Sequence, residues 1–377
     1  MTNPLGLYIH IPFCRQRCDF CAFYLEIHRE SAADAFLHAL ATEIQLQATQ
    51  EGVRGRPFRS VYFGGGTPTA LKATQLLAIL ADIGQSLSLT EDCEITVEAH
   101  PGTVTRSDLE TLLAAGVNRI SFGAESMQDH DLVRIGRPAL ARETVAAVRS
   151  AQEAGCTNIN LDLMYGLPHQ TLESWKQTVT QCLELAPTHL SCYALTVEEG
   201  TRLAHDIRHK RCQPPDDSIQ IAMDQAAQAI LSDAGYDQYE ISNYAKPGFA
   251  CRHNLLYWTN GDYLGLGPSA QSFVQGVRFG NVANLTAYQE ELALGRLLIQ
   301  DRTSLTKEEQ LRDAVIFGLR LVQGIPTQQL RNHAMNYGHV KTLEEMRAHQ
   351  LIEEEGERSR LSKQGRLHAD TIAEKLF

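Results

Sequence analysis

Three cysteines near the start of the chain have the spacing of a metal-binding motif. Cys14, Cys18 and Cys21 follow one another as C-x3-C-x2-C, directly after an apolar run typical of a strand. Such a triplet suits a zinc ion with a fourth ligand such as His10, or an iron–sulfur cluster. Structural zinc prefers four protein ligands, commonly from two C-x2-C pairs, and the triplet supplies one such pair. The spacing therefore favours an iron–sulfur cluster with one iron left open for a substrate or cofactor.

The triplet follows the first of six predicted strands, which alternate with helical segments up to about Tyr193. The strands are predicted at "LYIHIPF", "SVYFGGG", "CEITVEA", "NRISFGA", "NINLDLMY" and "HLSCYAL". Gly116 and Gly155 are placed to end two of the intervening helices in a left-handed conformation. Alternation of this kind predicts an α/β fold built on parallel strands, either an open doubly wound sheet or a full or partial barrel.

Polar and glycine-rich motifs come at the ends of these strands. In order along the chain they are Cys14, the turn Gly64-Gly65-Gly66-Thr67-Pro68, Glu98, Glu125, Asp162 and Thr196. In open α/β sheets and in barrels alike, chemistry gathers at the carboxyl ends of the strands. We therefore expect these residues to lie around one site.

The composition argues against several other classes of protein. The 377 residues include 34 Lys and Arg against 45 Asp and Glu, a formal charge of −11, so we expect no nucleic-acid partner. No export signal and no apolar run of about 18 residues is visible, which predicts a cytoplasmic protein without a membrane span. The nine cysteines are odd in number, and six of them are scattered, which argues against a disulfide framework.

Longer motifs around these residues resemble a known family. The triplet, "YFGGGTPT", "VEAHPGT", "DLMYGLPHQT" and "YEISNYAKPGFACRHNLLYW" resemble the radical SAM proteins related to oxygen-independent coproporphyrinogen III oxidase. The resemblance spans nearly the whole chain. It implies a partial (β/α)6 barrel of the TIM type, a [4Fe-4S] cluster on Cys14, Cys18 and Cys21, and S-adenosylmethionine bound at the open iron.

The resemblance also implies which residues bind S-adenosylmethionine. These are Tyr8, Phe20, Gly65, Gly66, Thr67, Glu98, Glu125, Arg137, Asp162, Tyr193 and Thr196. The glycine turn is expected at the methionine amino group, Arg137 at its carboxylate, the acids at the ribose hydroxyls, and Tyr193 and Thr196 at the adenine. Three positions depart from the family pattern, where glutamine, asparagine and histidine are usual: Glu125, His100 and Gln271.

Two features separate the chain from the oxidases of this family. Phe23 stands where the oxidases usually carry a fourth cysteine, and only thirteen residues precede the triplet. "HNLLYW" matches the H-N-x-x-Y-W signature of the related haem chaperone branch, HemW. The resemblance implies that His253 ligates haem and that Tyr257 and Trp258 pack on the porphyrin, with Cys251 as a rival ligand. The alternative is that His253 hydrogen-bonds backbone near the barrel mouth while the two aromatic residues fill core.

The function expected from this resemblance is a radical SAM haem chaperone that delivers haem to apo-haemoproteins. The cluster would need a reductant of the flavodoxin or ferredoxin type, and any membrane contact would be peripheral. A radical SAM methyltransferase or cyclopropanase, a coproporphyrinogen III dehydrogenase and a zinc-stabilised adaptor remain as alternatives.

Shifts of composition and pattern along the chain predict three regions. Residues 1–210 form the barrel with the cluster and S-adenosylmethionine, 211–302 form a barrel-associated segment with the haem motif, and 303–377 form a small C-terminal helical or winged-helix-like domain. Within the last region, "LTKEEQ" offers a capping box between Thr306 and Glu309 at the start of a helix.

Overall fold

The computed structural model describes residues 3–213 and 216–377. The strands are β1 (Leu5–Ile11), β2 (Phe13–Cys14), β3 (Glu26–Ile27), β4 (Pro57–Gly65), β5 (Ser88–Ala99), β6 (Arg119–Glu125), β7 (Ile159–Tyr165), β8 (His189–Ala194), β9 (Asp237–Gln238), β10 (Asn243–Ala245), β11 (Tyr263–Leu266), β12 (Gln271–Val274), β13 (Val277–Asn281), β14 (Ile299–Ser304), β15 (Ile325–Pro326), β16 (Ile352–Glu355) and β17 (Arg358–Leu361).

The helices connect these strands. They are α1 (Glu30–Ala48), α2 (Ala73–Ser86), α3 (Arg106–Ala114), α4 (Asp129–Arg134), α5 (Ala141–Glu153), α6 (Leu172–Glu184), α7 (Arg202–Arg208), α8 (Asp217–Asp233), α9 (Arg252–Trp258), α10 (Leu285–Ala293), α11 (Lys307–Gly318), α12 (Thr327–Asn336), α13 (Val340–Ala348), α14 (Lys363–Arg366) and α15 (Ala369–Leu376). In the described residues no helix is both long and apolar enough to cross a bilayer.

Six parallel strands, β1, β4, β5, β6, β7 and β8, form the centre of one mixed sheet and lie in chain order. The six predicted strands are thereby confirmed. Strand β11 pairs parallel with β1 on its other side, and β12–β14 and β9–β10 extend the two edges with antiparallel pairs. Because β1 and β8 are not neighbours in this order, the barrel is open. The partial (β/α)6 barrel is confirmed.

Alternation along the strands sorts polar from apolar side chains. In β1, Leu7 and Ile9 are fully buried in the main core with helix residues such as Phe36, whereas Tyr8 alternates with them and meets aromatic rings of the polar interior. This two-sided burial is the normal state of parallel strands covered by helices. The apolar faces of the crossover helices therefore make the outer core, and the barrel interior is left for polar residues.

The end of the chain has a core of its own, built from Val315, Leu330, Leu361 and neighbouring apolar residues of α11–α13, α15 and the strands β15–β17. Strands β15, β17 and β16 form a separate three-stranded antiparallel sheet beside these helices. The capping box is present, because the side chains of Thr306 and Glu309 each accept a bond from the other's backbone N–H. The helical, winged-helix-like character predicted for this region is confirmed.

Candidate functional site

The three cysteines lie at the carboxyl end of β1, on the edge of a large cavity. Cys14 ends β2, and Cys18 and Cys21 belong to the loop that leads to β3. Cys14 Sγ lies 3.3 Å from Thr67 Oγ1, and Arg137 Nη1 donates to Cys18 Sγ over 3.5 Å. Burial raises the pKa of each thiol. The thiols are spread along the cavity edge: in the described chain no three His, Cys, Asp or Glu side chains form a group that would hold one metal ion.

The glycine turn after β4 packs directly against the cysteine strand. Gly65 has φ +104°, and a Cβ added there would lie 2.7 Å from the ring of His10. The backbone N–H groups of Gly66 and Thr67 donate to carbonyl oxygens of the segment before Cys14, at 2.8 and 2.7 Å. Since these two N–H groups are already used, the turn has carbonyl oxygens rather than amides to offer a ligand. Carbonyls accept from a cation, which suits an amino group.

Three carboxylates reach the cavity from neighbouring strands. Glu98 accepts a 2.8 Å bond from the hydroxyl of Tyr62, and Asp162 accepts from Ser121 and Asn160 at 2.9 and 2.8 Å. Tyr62 and Ser121 lie on the strand next to that of the acid they bond, and Asn160 lies two residues before Asp162 on β7, so both acids are held in a fixed direction. Glu125 has φ +61° at an irregularity of β6, a strained conformation for a residue with a side chain.

Arg137 is the cation that faces these acids. Its Nη2 lies 3.4 Å from Glu125 Oε1 and also donates to the carbonyl of Gly123, and only 11% of its side chain is exposed. Tyr193 donates to the second oxygen of Glu125 over 3.2 Å. Burial, opposed in part by Arg137, raises the pKa of Glu125. The arrangement places one positive group among three acids beside the cysteine loop.

The cavity formed by these groups has a volume of about 880 Å³, within the usual range for small-molecule sites. Of the residues predicted to bind cluster or cofactor, those that line it are Cys14, Cys18, Cys21, Phe20, Gly65, Gly66, Thr67, Glu98, Glu125, Arg137, Asp162, Tyr193 and Thr196. The remaining one, Tyr8, is not part of the lining. Its hydroxyl bonds His10 Nδ1 at 3.2 Å, and its ring stacks on that of Tyr62.

The haem motif lies on α9 and contributes no residue to the lining of this cavity. His253 is 1% exposed, and both ring nitrogens have partners at 2.9 Å: Nδ1 meets Ser60 Oγ and Nε2 meets the hydroxyl of Tyr257. Burial, with a contribution from the charge of Arg119, lowers the pKa of His253 to about 3. The ring is neutral and has no nitrogen available to iron in this conformation.

The other members of the motif do not share a face with one another. The ring of Trp258 packs under the guanidinium of Arg320, which lies in the turn after α11, 4.7 Å from the ring centre, while the hydroxyl of Tyr257 meets His253. The rival ligand Cys251 is fully buried, and its thiol donates to Glu94 over 3.3 Å. Haem ligation by any of these residues therefore requires α9 to change its contacts.

The cavity acid Glu98 makes the stability of the protein depend on pH. Burial and the nearby charge of Asp162 raise the pKa of Glu98 to about 8. A raised carboxyl pKa contributes stability at low pH that is lost as the pH rises through the folded-state pKa. Between pH 6.5 and 8.5, urea unfolding of metal-free protein is expected to show a fall of about 1–3 kcal/mol in the free energy of unfolding, a value reduced by water in the open cavity. The variant Glu98→Gln is expected to remove this fall. Exposed Glu91→Gln is the control, and equal slopes for wild type and Glu98→Gln would contradict the expectation.

Comparison with known proteins agrees with this geometry. Residues 8–182 match the radical SAM superfamily, and residues 305–368 match the HemN C-terminal domain. Coproporphyrinogen III oxidase (HemN) from Escherichia coli, described as a radical SAM enzyme, has a similar structure, with a TM-score of 0.86 and 26% identity. The alignment covers 99% of this chain and 90% of that one.

Curated relatives are similar over most of the chain. The heme chaperone HemW of Haemophilus influenzae is 36% identical, covering 88% of this chain and 86% of the relative. HemW of Escherichia coli is 40% identical over 72% of this chain and 70% of its own, and HemW of Mycobacterium tuberculosis is 33% identical over 100% and 95%. By its similarity to these relatives, and with a cysteine loop at the edge of a large cavity, the chain belongs to the HemW heme chaperone family of the radical SAM superfamily.

Proposed function

We propose that this protein binds haem and delivers it to apo-haemoproteins, with a [4Fe-4S] cluster and S-adenosylmethionine as cofactors. Membership of the radical SAM superfamily implies the two cofactors. The observation that carries the proposal is that three cysteines, a glycine turn and an acid–arginine cluster line one 880 Å³ cavity in a chain of the HemW family.

The residues of the cavity fit the cofactors by their chemistry. Cys14, Cys18 and Cys21 would hold the cluster, leaving one iron without a protein ligand. When bound and reduced, the cluster would supply single-electron reduction of the sulfonium of S-adenosylmethionine. The carbonyls of the glycine turn accept from the methionine ammonium, and Arg137 is suited to its carboxylate.

The rest of the nucleoside is assigned to the far side of the cavity. The acids that reach the cavity accept from ribose hydroxyls, and the ring of Tyr193 with Thr196 faces the adenine. The bonds from Tyr62 to Glu98 and from Ser121 to Asp162 keep the acids aimed inward before a ligand arrives. The enclosed position of Arg137 limits the water that competes for the carboxylate.

The haem is proposed to bind at α9 through His253, once its ring leaves Ser60 and Tyr257. A neutral imidazole is a good axial ligand, and the low pKa of this one keeps it unprotonated at physiological pH. Ligation would replace the ring's two internal hydrogen bonds with a bond to iron, and the loss of those hydrogen bonds lowers the haem affinity. Weak retention of this kind suits a protein that passes haem onward.

Partners and regions follow from the same proposal. A reductant of the flavodoxin or ferredoxin type supplies the electron, and an apo-haemoprotein receives the haem. We assign the barrel and cavity to residues 1–210, the α9 segment to 211–302 and the small terminal domain to 303–377.

Haem titration and transfer test the proposal. Anaerobically reconstituted wild type is expected to give a Soret band with haemin and to pass haem to apomyoglobin, whereas His253→Ala lowers haem affinity at least tenfold because the axial ligand is gone. His333→Ala is a matched control, since this histidine is also fully buried and bonds the backbone of the C-terminal helix.

The outcomes separate the function from the ligand. Wild-type protein that neither binds haemin nor transfers it argues against the chaperone function. An unchanged Soret band and affinity in His253→Ala would remove this residue as ligand, and a loss confined to Cys251→Ala would assign the ligand to the thiol.

A further inference from the structure

The haem-motif histidine touches the machinery of the cavity through one tyrosine. The imidazole of His253 stacks on the ring of Tyr62, with centroids 5.1 Å apart and planes inclined by 26°. The hydroxyl of the same tyrosine donates to Glu98, which lines the cavity. One aromatic ring therefore stands between the α9 histidine and a carboxylate of the proposed cofactor site.

Strand contacts make this connection short and stiff. The partner of the imidazole, Ser60, lies two residues before Tyr62 on β4, so both face the barrel interior. On β5, Glu94 accepts from the backbone N–H of Arg252 and of His253, both at 3.1 Å, four residues before Glu98. The start of α9 is thus fixed to the two strands that carry the tyrosine and the cavity acid.

We propose that His253 is a positioning residue for the cavity: its ring holds Tyr62, and Tyr62 aims Glu98 at the bound nucleoside. The part of this inference that concerns the bound nucleoside and haem rests on the proposed function. If His253 is also the haem ligand, ligation must take the ring away from Tyr62, because both ring nitrogens are engaged while it stays. Haem on α9 and S-adenosylmethionine in the cavity then oppose each other's binding.

The opposition has a definite sign and must be reciprocal. A ligand that needs the stacked arrangement stabilises it, and a ligand that removes the ring destabilises it. Linkage requires that each ligand weaken the other by the same factor. We expect a factor of about ten, since a stack and a few hydrogen bonds are involved. Binding of S-adenosylmethionine in the cavity would favour release of haem, and binding of haem would lower the affinity of the cavity for S-adenosylmethionine.

The positioning role is tested without haem, by equilibrium dialysis of S-adenosylmethionine on reconstituted, unreduced protein. His253→Ala and Tyr62→Phe are each expected to lower the affinity about tenfold. His253→Phe keeps an aromatic ring on Tyr62 and is expected to recover most of it, which a general packing defect would not allow. Tyr165→Phe is the control, because this tyrosine ends β7 and its hydroxyl faces Asp224 rather than the cavity.

The coupling is tested by repeating the haemin titration with saturating S-adenosylmethionine. Wild type and Tyr165→Phe are expected to bind haemin about tenfold more weakly with the cofactor, and Tyr62→Phe to lose this dependence. Equal cofactor affinity in wild type, His253→Ala and Tyr62→Phe overturns the positioning role, whether or not haemin binds. Haemin affinity that is unchanged or increased by the cofactor overturns the opposition. Protein that binds S-adenosylmethionine as expected but no haemin contradicts the proposed function alone.

Discussion

Replacing Cys18 with alanine is expected to abolish the cluster and, with it, high-affinity binding of S-adenosylmethionine. Cys18 is buried in the middle of the cysteine loop, where it also accepts from Arg137. Two thiolates leave two irons of a four-iron cluster without protein ligands, and the cluster is then lost to solvent. After anaerobic reconstitution, the iron and sulfide content of Cys18→Ala is expected to be at least tenfold below that of wild type. The paramagnetic signal of the reduced protein is expected to fall with it.

A buried cysteine outside the loop supplies the control for this prediction. Cys182 is fully buried in α6 within the main core, so Cys182→Ala removes a thiol of similar burial and leaves the cavity intact. It is expected to keep its iron and sulfide. A full complement of cluster in Cys18→Ala would contradict the assignment of this cysteine. Wild-type protein that takes up zinc but no reducible cluster would favour the alternative of a zinc-stabilised adaptor.

Much of the cavity could be predicted from the sequence because strand order and strand ends decide it. The rule that parallel strands present chemistry at their carboxyl ends places Cys14, Gly65, Glu98 and Glu125 near one another without any knowledge of packing. Because side chains two residues apart on a strand point to the same face, alternation also directs Asp162 and Asn160 of β7 into the same interior. None of these inferences needs a contact between distant side chains.

The surroundings of the haem motif could not be read in this way. His253 and Tyr257 are four residues apart on α9 and share a face, while Trp258 is turned about 100° from Tyr257 around the helix axis. Adjacent letters of a motif therefore point to different partners. What decides the state of the histidine is its contact with Ser60, 193 residues away in the chain. The alternative expected His253 to bond backbone beside core aromatics; the ring does bond internally, but its partners are the side chains of Ser60 and Tyr257, and Tyr257 and Trp258 are half-buried.

The residues that aim the cavity acids were also missed, namely Tyr62 and the donors of Asp162. The signal was present, because Tyr62 lies two residues before Gly64 on the same strand and so faces inward. Alternation gives the direction of a side chain but not its partner, which depends on the register between neighbouring strands. Tyr8 illustrates the same limit: alternation did not give its hydroxyl's partner, which is His10, and its assignment to S-adenosylmethionine stays a prediction.

Replacing Arg137 with alanine is expected to weaken S-adenosylmethionine binding about 100-fold. The guanidinium is 11% exposed and is the cation set among the cavity acids, so its loss removes the partner of the ligand carboxylate. It also leaves Glu125 without the charge that offsets its burial, which raises the pKa of this acid further. A charge-assisted bond to a carboxylate is worth about 1.5–3 kcal/mol, and loss of compensation inside the cavity adds to it. Equilibrium dialysis on reconstituted protein measures the change.

Two further variants separate these contributions. Arg134→Ala removes an arginine that is 42% exposed on α4, and its affinity is expected to stay within twofold of wild type. Adding Glu125→Gln to Arg137→Ala restores part of the loss if the uncompensated acid contributes, since an amide needs no counter-charge and can still bond a ribose hydroxyl. If Arg137→Ala alone binds S-adenosylmethionine as tightly as Arg134→Ala, the guanidinium does not meet the ligand carboxylate. The cavity would then have to hold the methionine end of the cofactor through the cluster and the glycine turn alone.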